Sequence, residues 1–423
     1  MATVAPSTPH VLHLSLVVGG SLRDDAGERL GRVDDLIVRL EGEEYPPVSG
    51  AVAMVAGRQV FVPWASIAEI TEGHVSLREE RIDLQHFRRR AGEVLLRKDV
   101  LDRQVINIDG ARLVRANEIE LVRLDGWYRV VGVDVSFRGL VRRLLPHAFA
   151  DRIASGDFLD WASIEPFTGH VPSVRLKVPH PKLARLHPAQ LADLVEAASH
   201  REGEEIIDAV RTDPELEADL FEELEDKHQL EFVEERSDTE IAELLGRMEA
   251  DDAADLVLQL PEERREDVVA LLPLVQGRRV RTLLGYDPAT AGGLMSPEFV
   301  CLYAEATREE ALERVQRSKV HADGVSWVFA LSGRRRLRGG IPLADLLRAE
   351  PGTHLAEIVR SVQRVSPDAD LEEVARLMTD FDLTVVPVVD ASETLLGIVT
   401  VDDVLELVLP ESWRRRFNIL GGD

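Results

Sequence analysis

"AGGLMSPEFV", Ala291–Val300, separates two kinds of sequence. Before it, apolar residues recur at three-four spacing in a strongly acidic background; after it, they alternate as strands do. The paired glycines and the Met-Ser-Pro turn read as a hinge that lets an acidic helical region swing against a mixed α/β region. The rest of the chain is organised around this join.

Upstream, from Leu186 to Val269, the sequence is helix after helix: "PAQLADLVEAA", "DPELEADLFEELED", "SDTEIAELLGRM", "ADDAADLVLQL" and "PEERREDVVALL". Each starts on Asp, Ser, Ala or Pro, and none is long enough to bury its apolar face alone, so the pattern predicts a stacked helical superstructure. The stretch 186–269 holds 28 carboxylates against 7 basic side chains, a local charge of −21 within a chain total of −26. Downstream, "TREEALERVQRS", "GVSWVFAL" and "LRGGIPLADLL" are echoed by "DLEEVARLMTD", "LTVVPVVD" and "LLGIVTVDDVLELV". Both repeats give a helix, two short strands and a helix, hence tandem copies of a βαββα module.

The N-terminal third contains its own repeat. "VPWASIAEI" at 62–70 returns as "LDWASIEPF" at 159–167, each after a strand-rich run, which predicts two similar small β-barrels with Trp64 and Trp161 as equivalent anchors. "RGLVRRLLPHAFADRIASG" reads as a helical insert in the second copy, and the proline-rich stretch 171–187 as a linker. The predicted fold class is a multidomain α+β chain: barrel-like domains at 11–90 and 96–168, a linker at 171–187, an acidic helical array at 188–290, βαββα modules at 295–350 and 354–410, and a basic tail at 411–423.

Composition removes several function classes. The charge of −26 repels phosphate backbones and argues against nucleic acid. Cys301 is the single cysteine and sits in an apolar run, where it reads as a small buried hydrophobe in a reducing cytoplasm. No stretch of roughly 18 apolar residues is present, so no membrane span is expected, and the N-terminus lacks a secretory pattern. No His or Cys spacing suits zinc, and no phosphate loop or nucleophile motif occurs, so the chain is not expected to be an enzyme. The arginines at 88–90 and 334–336 read as solvated surface, whereas Arg414, Arg415 and Arg416 beside Trp413 and Phe417 suit a membrane surface or partner groove.

Three resemblances sharpen this reading. "GRVDDLIV" followed by "VFVPW" resembles the PRC-barrel family, which implies a docking module without catalytic residues. "GIVTVDD" at 397–403 resembles the cystathionine β-synthase (CBS) signature, in which a Thr hydroxyl and an Asp carboxylate bind the ribose of an adenine nucleotide; the first copy, "GGIPLAD", keeps Asp345 but has Pro342 in place of the hydroxyl. The acidic array with "ADDAADL", the "AGGLM" join and the CBS pair together resemble the cytosolic portion of MgtE-type magnesium transporters over about Leu186 to Leu409. Those transporters continue into a connecting helix and a membrane pore, whereas this sequence reads "PESWRRRFNILGGD"; the expectation is a cytoplasmic regulator, peripheral at the membrane's inner face, that works with a separate membrane transporter.

The resemblance implies Mg2+ ligands at Asp251, Asp255, Asp370, Glu372, Asp382, Asp403 and Glu406, and contacts for ATP or AMP at Trp327, Asp345, Pro387, Thr400 and Asp403. It also implies a homodimer through the CBS modules. From spacing alone, Asp251 and Asp255 share one helix face, as do Asp403 and Glu406, and Asp251 or Asp252 is also a candidate helix N-cap. Two carboxylates roughly 5 Å apart at an effective dielectric near 20 repel by about 3 kcal/mol. A weak cation site at ten times its dissociation constant offsets about 1.4 kcal/mol, and a near-complete two-state switch needs about 5.5, so about four sites must cooperate. The reading is therefore a magnesium-responsive regulator, with an adenine-nucleotide sensor and a purely structural adaptor as the two alternatives.

Overall fold

The computed structural model describes residues 11–40, 43–78, 86–90, 92–136, 158–167, 182–318, 320 and 322–409. The predicted helical insert, most of the linker and the basic tail lie outside these residues. The chain forms two compact units, 1–213 and 214–423. Among the described residues no helix is long and apolar enough to cross a membrane.

In the first unit, aliphatic residues alternate inward along β1 (Val11–His13), a short α1 (Leu14–Val17), β2 (Ser21–Arg23), β3 (Arg29–Arg39), β4 (Val48–Val55), β5 (Arg58–Pro63), β6 (Ile67–Thr71), β7 (His74–Leu77) and β8 (Glu93–Leu95). The second half supplies β9 (Gln104–Asn107), β10 (Arg112–Arg115), β11 (Glu118–Leu124), β12 (Trp127–Asp134), β13 (Phe158–Asp160) and β14 (Ile164–Pro166). Helices α2 (Pro188–Ala197) and α3 (His200–Val210) follow. The sequence repeat is a structural repeat: in both halves a three-strand meander runs into a Trp-Ala-Ser 3-10 turn, Trp64–Ser66 or Trp161–Ser163, and out as a strand.

Among the described residues no closed barrel is seen. Among the described residues the first half is an open sheet in the order β5-β4-β3-β2-β7-β6 with β8 beside β3, and the second half divides into β1-β11-β12-β13 and β10-β9-β14. The reason lies in long-range pairing. The chain's first strand, β1, is given to the second half, where Val11 to His13 pair with Glu120 to Val122. The Tyr128 hydroxyl donates to the Ile70 carbonyl at 2.6 Å, and Leu22, Leu36, Val62 and Ile67 share one core with Val105, Leu121, Val130 and Trp161. Trp161 is a core anchor, while Trp64 only packs against that core.

The second unit begins with α4 (Pro214–Glu222), α5 (Asp226–Val233), α6 (Asp238–Leu245), α7 (Ala250–Gln259), α8 (Glu262–Leu271) and α9 (Leu274–Leu283). Of these, α4, α6, α7 and α8 match predicted segments, whereas α5 and α9 were not read from the sequence; the Ser237–Glu240 capping box shows why α6 starts where it does. After α10 (Ala291–Leu294) come β15 (Val300–Tyr303), α11 (Arg308–Arg317), α12 (Ala322–Val325), β16 (Trp327–Ser332), β17 (Arg336–Pro342) and α13 (Leu343–Arg348). Then follow α14 (Leu355–Ile358), α15 (Leu371–Phe381), β18 (Val385–Val389), β19 (Leu395–Thr400) and α16 (Val401–Val408); both modules show the helix-strand-strand-helix order, but among the described residues the second has only an isolated parallel bridge, Val365 to Val388, in place of a leading strand. Phe329, Leu331 and Leu337 of the first module share a core with Val385, Val389, Leu395 and Ile398 of the second. Cys301 is half-buried on β15, packed against that core.

The stretch 291–300 is not a loose connection. The Ala291 and Gly292 amides donate to the Ala369 and Pro367 carbonyls at 2.8 Å each, and Ser296 and Ile398 exchange backbone hydrogen bonds at 2.8 and 2.9 Å. Neither glycine takes a positive φ. A Cβ on Gly292 would fall 2.7 Å from the Tyr286 ring, and one on Gly293 2.5 Å from the Asp287 carbonyl oxygen. Here the glycines provide close approach, not freedom. Gly293→Ala should therefore lower stability by about 1–3 kcal/mol, because its methyl meets backbone atoms that have nowhere to move. Urea unfolding of the full chain checks this, and an unchanged midpoint would restore the hinge reading.

Candidate functional site

The second unit brings a set of carboxylates together. Glu249 is the N-cap of α7, so Asp251 and Asp252 lie in its first turn and not at the cap; the helix dipole favours their charge there. Asp255 is one turn further along the same face. On the CBS side, Thr400 caps α16 and its hydroxyl and amide both reach Asp403 Oδ2, at 2.6 and 2.9 Å. Glu406 follows one turn later.

These two helix starts face each other, and the electrostatics record it. Burial, then the charge of Asp403, then that of Glu249, raises the Asp251 carboxyl well above the ordinary Asp range. Burial raises Asp252 likewise, with Asp251, Glu222, Glu249 and Asp403 adding to it. Asp255 is open to solvent along part of its side chain, yet desolvation by the surrounding protein and the charges of Asp226 and Glu406 push it to about 6. Asp403 is also pushed to about 6, by burial against the opposing pull of its Thr400 hydrogen bonds. Behind them, Glu222 is pushed up to about 8, mainly by burial, although its Oε1 accepts from the Glu249 amide at 2.6 Å. Asp251 Oδ1 is sealed from solvent and has no hydrogen-bond partner among the described residues.

An unpartnered buried carboxylate oxygen amid other carboxylates has the chemistry of a cation subsite. Among the described residues no three or more His, Cys, Asp or Glu side chains converge closely enough to hold a metal ion as a cage. That combination fits magnesium, which dehydrates reluctantly and is commonly held by one or two carboxylates through its retained waters.

The remaining sequence-predicted residues are placed elsewhere. Asp370 caps α15, accepting from the Glu373 amide at 2.8 Å, Glu372 lies exposed in that helix's first turn, and Asp382 closes its far end in a left-handed conformation, φ 52°. The arrangement does not link these three to the α7 cluster. Asp345 is ion-paired with Arg360 and Arg348. Trp327 is half-buried at the start of β16, and its ring would lie 2.9 Å from a Cβ at Gly340; Pro387 is buried in β18 opposite Ile398. Asp226, Glu222 and Glu249 were not singled out from the sequence. Glu222 and Glu249 are 27 positions apart on different helices, and only the fold joins them.

Comparison with known proteins identifies the surroundings of this site. The family model for the MgtE intracellular N domain matches residues 186–289, and that for the CBS domain matches residues 355–410. The chain is 40% identical to the magnesium transporter MgtE of Thermus thermophilus over 166 residues, which is 38% of this chain and 37% of that protein. It is 28% identical to MgtE of Bacillus subtilis over 196 residues, 46% of this chain and 43% of that protein. It thus spans about four-tenths of the length of these curated relatives. Among solved structures, the cytosolic domain of the Mg2+ channel MgtE in complex with ATP is 33% identical, with TM-score 0.50, over 53% of this chain and 92% of that one.

The raised carboxyls give the folded unit a defined pH dependence. Unfolded Asp and Glu titrate near 4, while folded Asp255 and Asp403 titrate at about 6 and Glu222 at about 8. Between those values the folded state binds more protons than the unfolded one, so in chelator stability falls as pH rises from about 5 to about 8. Asp251→Asn should flatten that slope and raise stability at about pH 8 by about 1–3 kcal/mol, since it removes a charge with an unsatisfied oxygen. Urea unfolding across this range tests both, and a slope that rises with pH would show that the cluster does not hold its protons.

Proposed function

We propose that this chain, whose residues 186–289 match the MgtE intracellular N domain and 355–410 the CBS domain, is a non-catalytic, magnesium-responsive regulatory protein. The observation that carries this reading is the opposition of Asp251 and Asp255 on α7 to Asp403 and Glu406 on α16, with one sealed Asp251 oxygen unpartnered. Bound Mg2+ supplies positive charge between two anionic faces. Asp251, Asp255, Asp403 and Glu406 would hold it through its waters, while Asp252, Glu249 and Glu222 deepen the negative potential behind them. With cation present the faces stay together; without it, they separate or take up protons.

Support for a homodimer comes from the CBS modules. Phe381 at the end of α15 and Leu405, Leu407 and Val408 on α16 are 51, 46, 51 and 56% exposed, an apolar strip that a second copy would cover. The proposed setting is the cytoplasmic side of a membrane, with a separate magnesium-transporting membrane protein as partner. ATP or AMP enters as a possible co-ligand of the CBS pair. The Thr400 hydroxyl is already spent on Asp403, and Asp345 on Arg360, so nucleotide binding must displace these contacts.

Small-angle scattering of the full chain through a millimolar Mg2+ titration, with K+ at matched ionic strength and with ATP in parallel, tests the reading. The scattering radius should fall with Mg2+ and not with K+. Asp251→Asn/Asp255→Asn should be compact in chelator and lose most of the Mg2+ response. A radius that moves with ATP alone would favour nucleotide sensing, and one that moves with neither ligand would leave only an adaptor role.

A further inference from the structure

The first unit contains a cavity that the magnesium reading does not use. It has a volume of about 520 Å3, and its lining combines the aromatic rings of Phe61, Trp64 and Trp127 with the charged side chains of Arg39, Arg90 and Glu93. Trp127 follows the turn between β11 and β12, where Asp125 and Gly126 take positive φ values of 50° and 83°. Two such residues form the tight turn that matches strand twist, and the next side chain stands at the sheet's edge. Trp127 is 39% exposed and stacks on Trp64, with ring centroids 5.2 Å apart and 23° between planes. The pair offers an indole surface to solvent instead of hiding it in the shared core.

Arg39 and Arg90 bring positive charge to this lining, and among the described residues no hydrogen bond uses either guanidinium. Arg39 and Arg90 each approach the Glu93 carboxylate at 3.9 Å, too far for a hydrogen bond, and their side chains are 54 and 57% exposed. Glu93 itself is 2% exposed, and its other oxygen accepts from the Arg90 amide at 2.9 Å. The Arg90 guanidinium also lies 4.5 Å from the Phe61 ring centre, which fixes its plane. Two guanidiniums set over one buried carboxylate leave the cavity mouth cationic, in a chain of net charge −26.

We propose that this cavity binds an aromatic phosphate, the ring lying on the Trp64–Trp127 pair and the phosphate taking the free N–H groups of Arg39 and Arg90. Guanidiniums bind phosphate oxygens through paired, charge-assisted hydrogen bonds, and indole faces stack flat rings. A cationic ligand is disfavoured because Arg39 and Arg90 outnumber the single buried Glu93 carboxylate and stand more exposed than it. A nucleic acid strand is disfavoured by the total negative charge, so the ligand is a single small molecule. The site is separate from the CBS pair and independent of the magnesium reading.

The test uses phenyl phosphate, which lacks the adenine and ribose that a CBS nucleotide site would read. Calorimetry on the full chain, with tryptophan emission as a second readout, should show phenyl phosphate binding at least about tenfold more tightly than inorganic phosphate or benzyl alcohol, because only it engages both the rings and the arginines. Arg39→Gln/Arg90→Gln should weaken binding by about tenfold or more, and Trp127→Leu by about fivefold, with unfolding midpoints measured alongside. If a variant unfolds, the exposed Arg39→Gln alone carries the comparison. Binding that is absent at millimolar probe, is matched by inorganic phosphate, or survives loss of both arginines overturns the proposal.

Discussion

Asp251 and Asp403 are each pressed towards neutrality by burial, and Asp403 adds its charge to the pressure on Asp251. A buried carboxylate in such company is stable only if a proton or a cation offsets it. The helix starts of α7 and α16 provide part of that offset, since first-turn amides favour negative charge, but two like-charged helix starts brought together cannot satisfy each other. The second unit is therefore arranged around a debt of positive charge. Magnesium is suited to meet it because it bridges through its own waters and does not require a closed cage.

The anchoring of Ala291–Met295 determines how such a site responds. Backbone hydrogen bonds tie this stretch to Pro367, Ala369 and Ile398, and Gly397 admits Met295, whose Sδ would be 2.8 Å from a Cβ there. The join thus moves with the second CBS module. Any swing of the helical array must pivot earlier, in the turn Leu284–Thr290 or at the α8–α9 corner. That corner holds Pro273, and Leu271, Leu274 and Val275 are 52, 71 and 63% exposed around it. The corner is nevertheless tied down by buried Leu272 and by the Gln276 side-chain amide, which donates to the Leu245 and Met248 carbonyls at 3.2 and 2.9 Å.

Much of this was legible in the sequence where the determining interactions are local. Capping residues and three-four spacing marked the helices, and strand alternation between amphipathic helices marked both βαββα modules. Spacing of four put Asp251 with Asp255, and spacing of three put Asp403 with Glu406. What failed was non-local. The repeat of Trp64 and Trp161 marks two halves with a common strand-turn-strand pattern, but carries no sign that β1 pairs in the second half or that the two halves share one core. A glycine pair looks the same in a sequence whether it serves φ freedom or close approach, and only the Tyr286 ring and Asp287 carbonyl distinguish the two. Glu222 carried no signal, since its raised proton affinity comes from burial beside a helix start distant in sequence.

The negative charge is concentrated in one stretch of the chain. The stretch 186–269 carries −21 of the chain's −26, leaving −5 for everything else. At physiological salt the screening length is about 8 Å, so distant carboxylates in that stretch contribute little to any one site. Asp251, Asp252 and Asp255 have α16 carboxylates among the causes of their raised pKa, whereas Asp193 and Glu222 in the same stretch are raised chiefly by burial. The remainder of the chain, at −5, is close enough to neutral that a local pair such as Arg39 and Arg90 sets the charge at its own pocket.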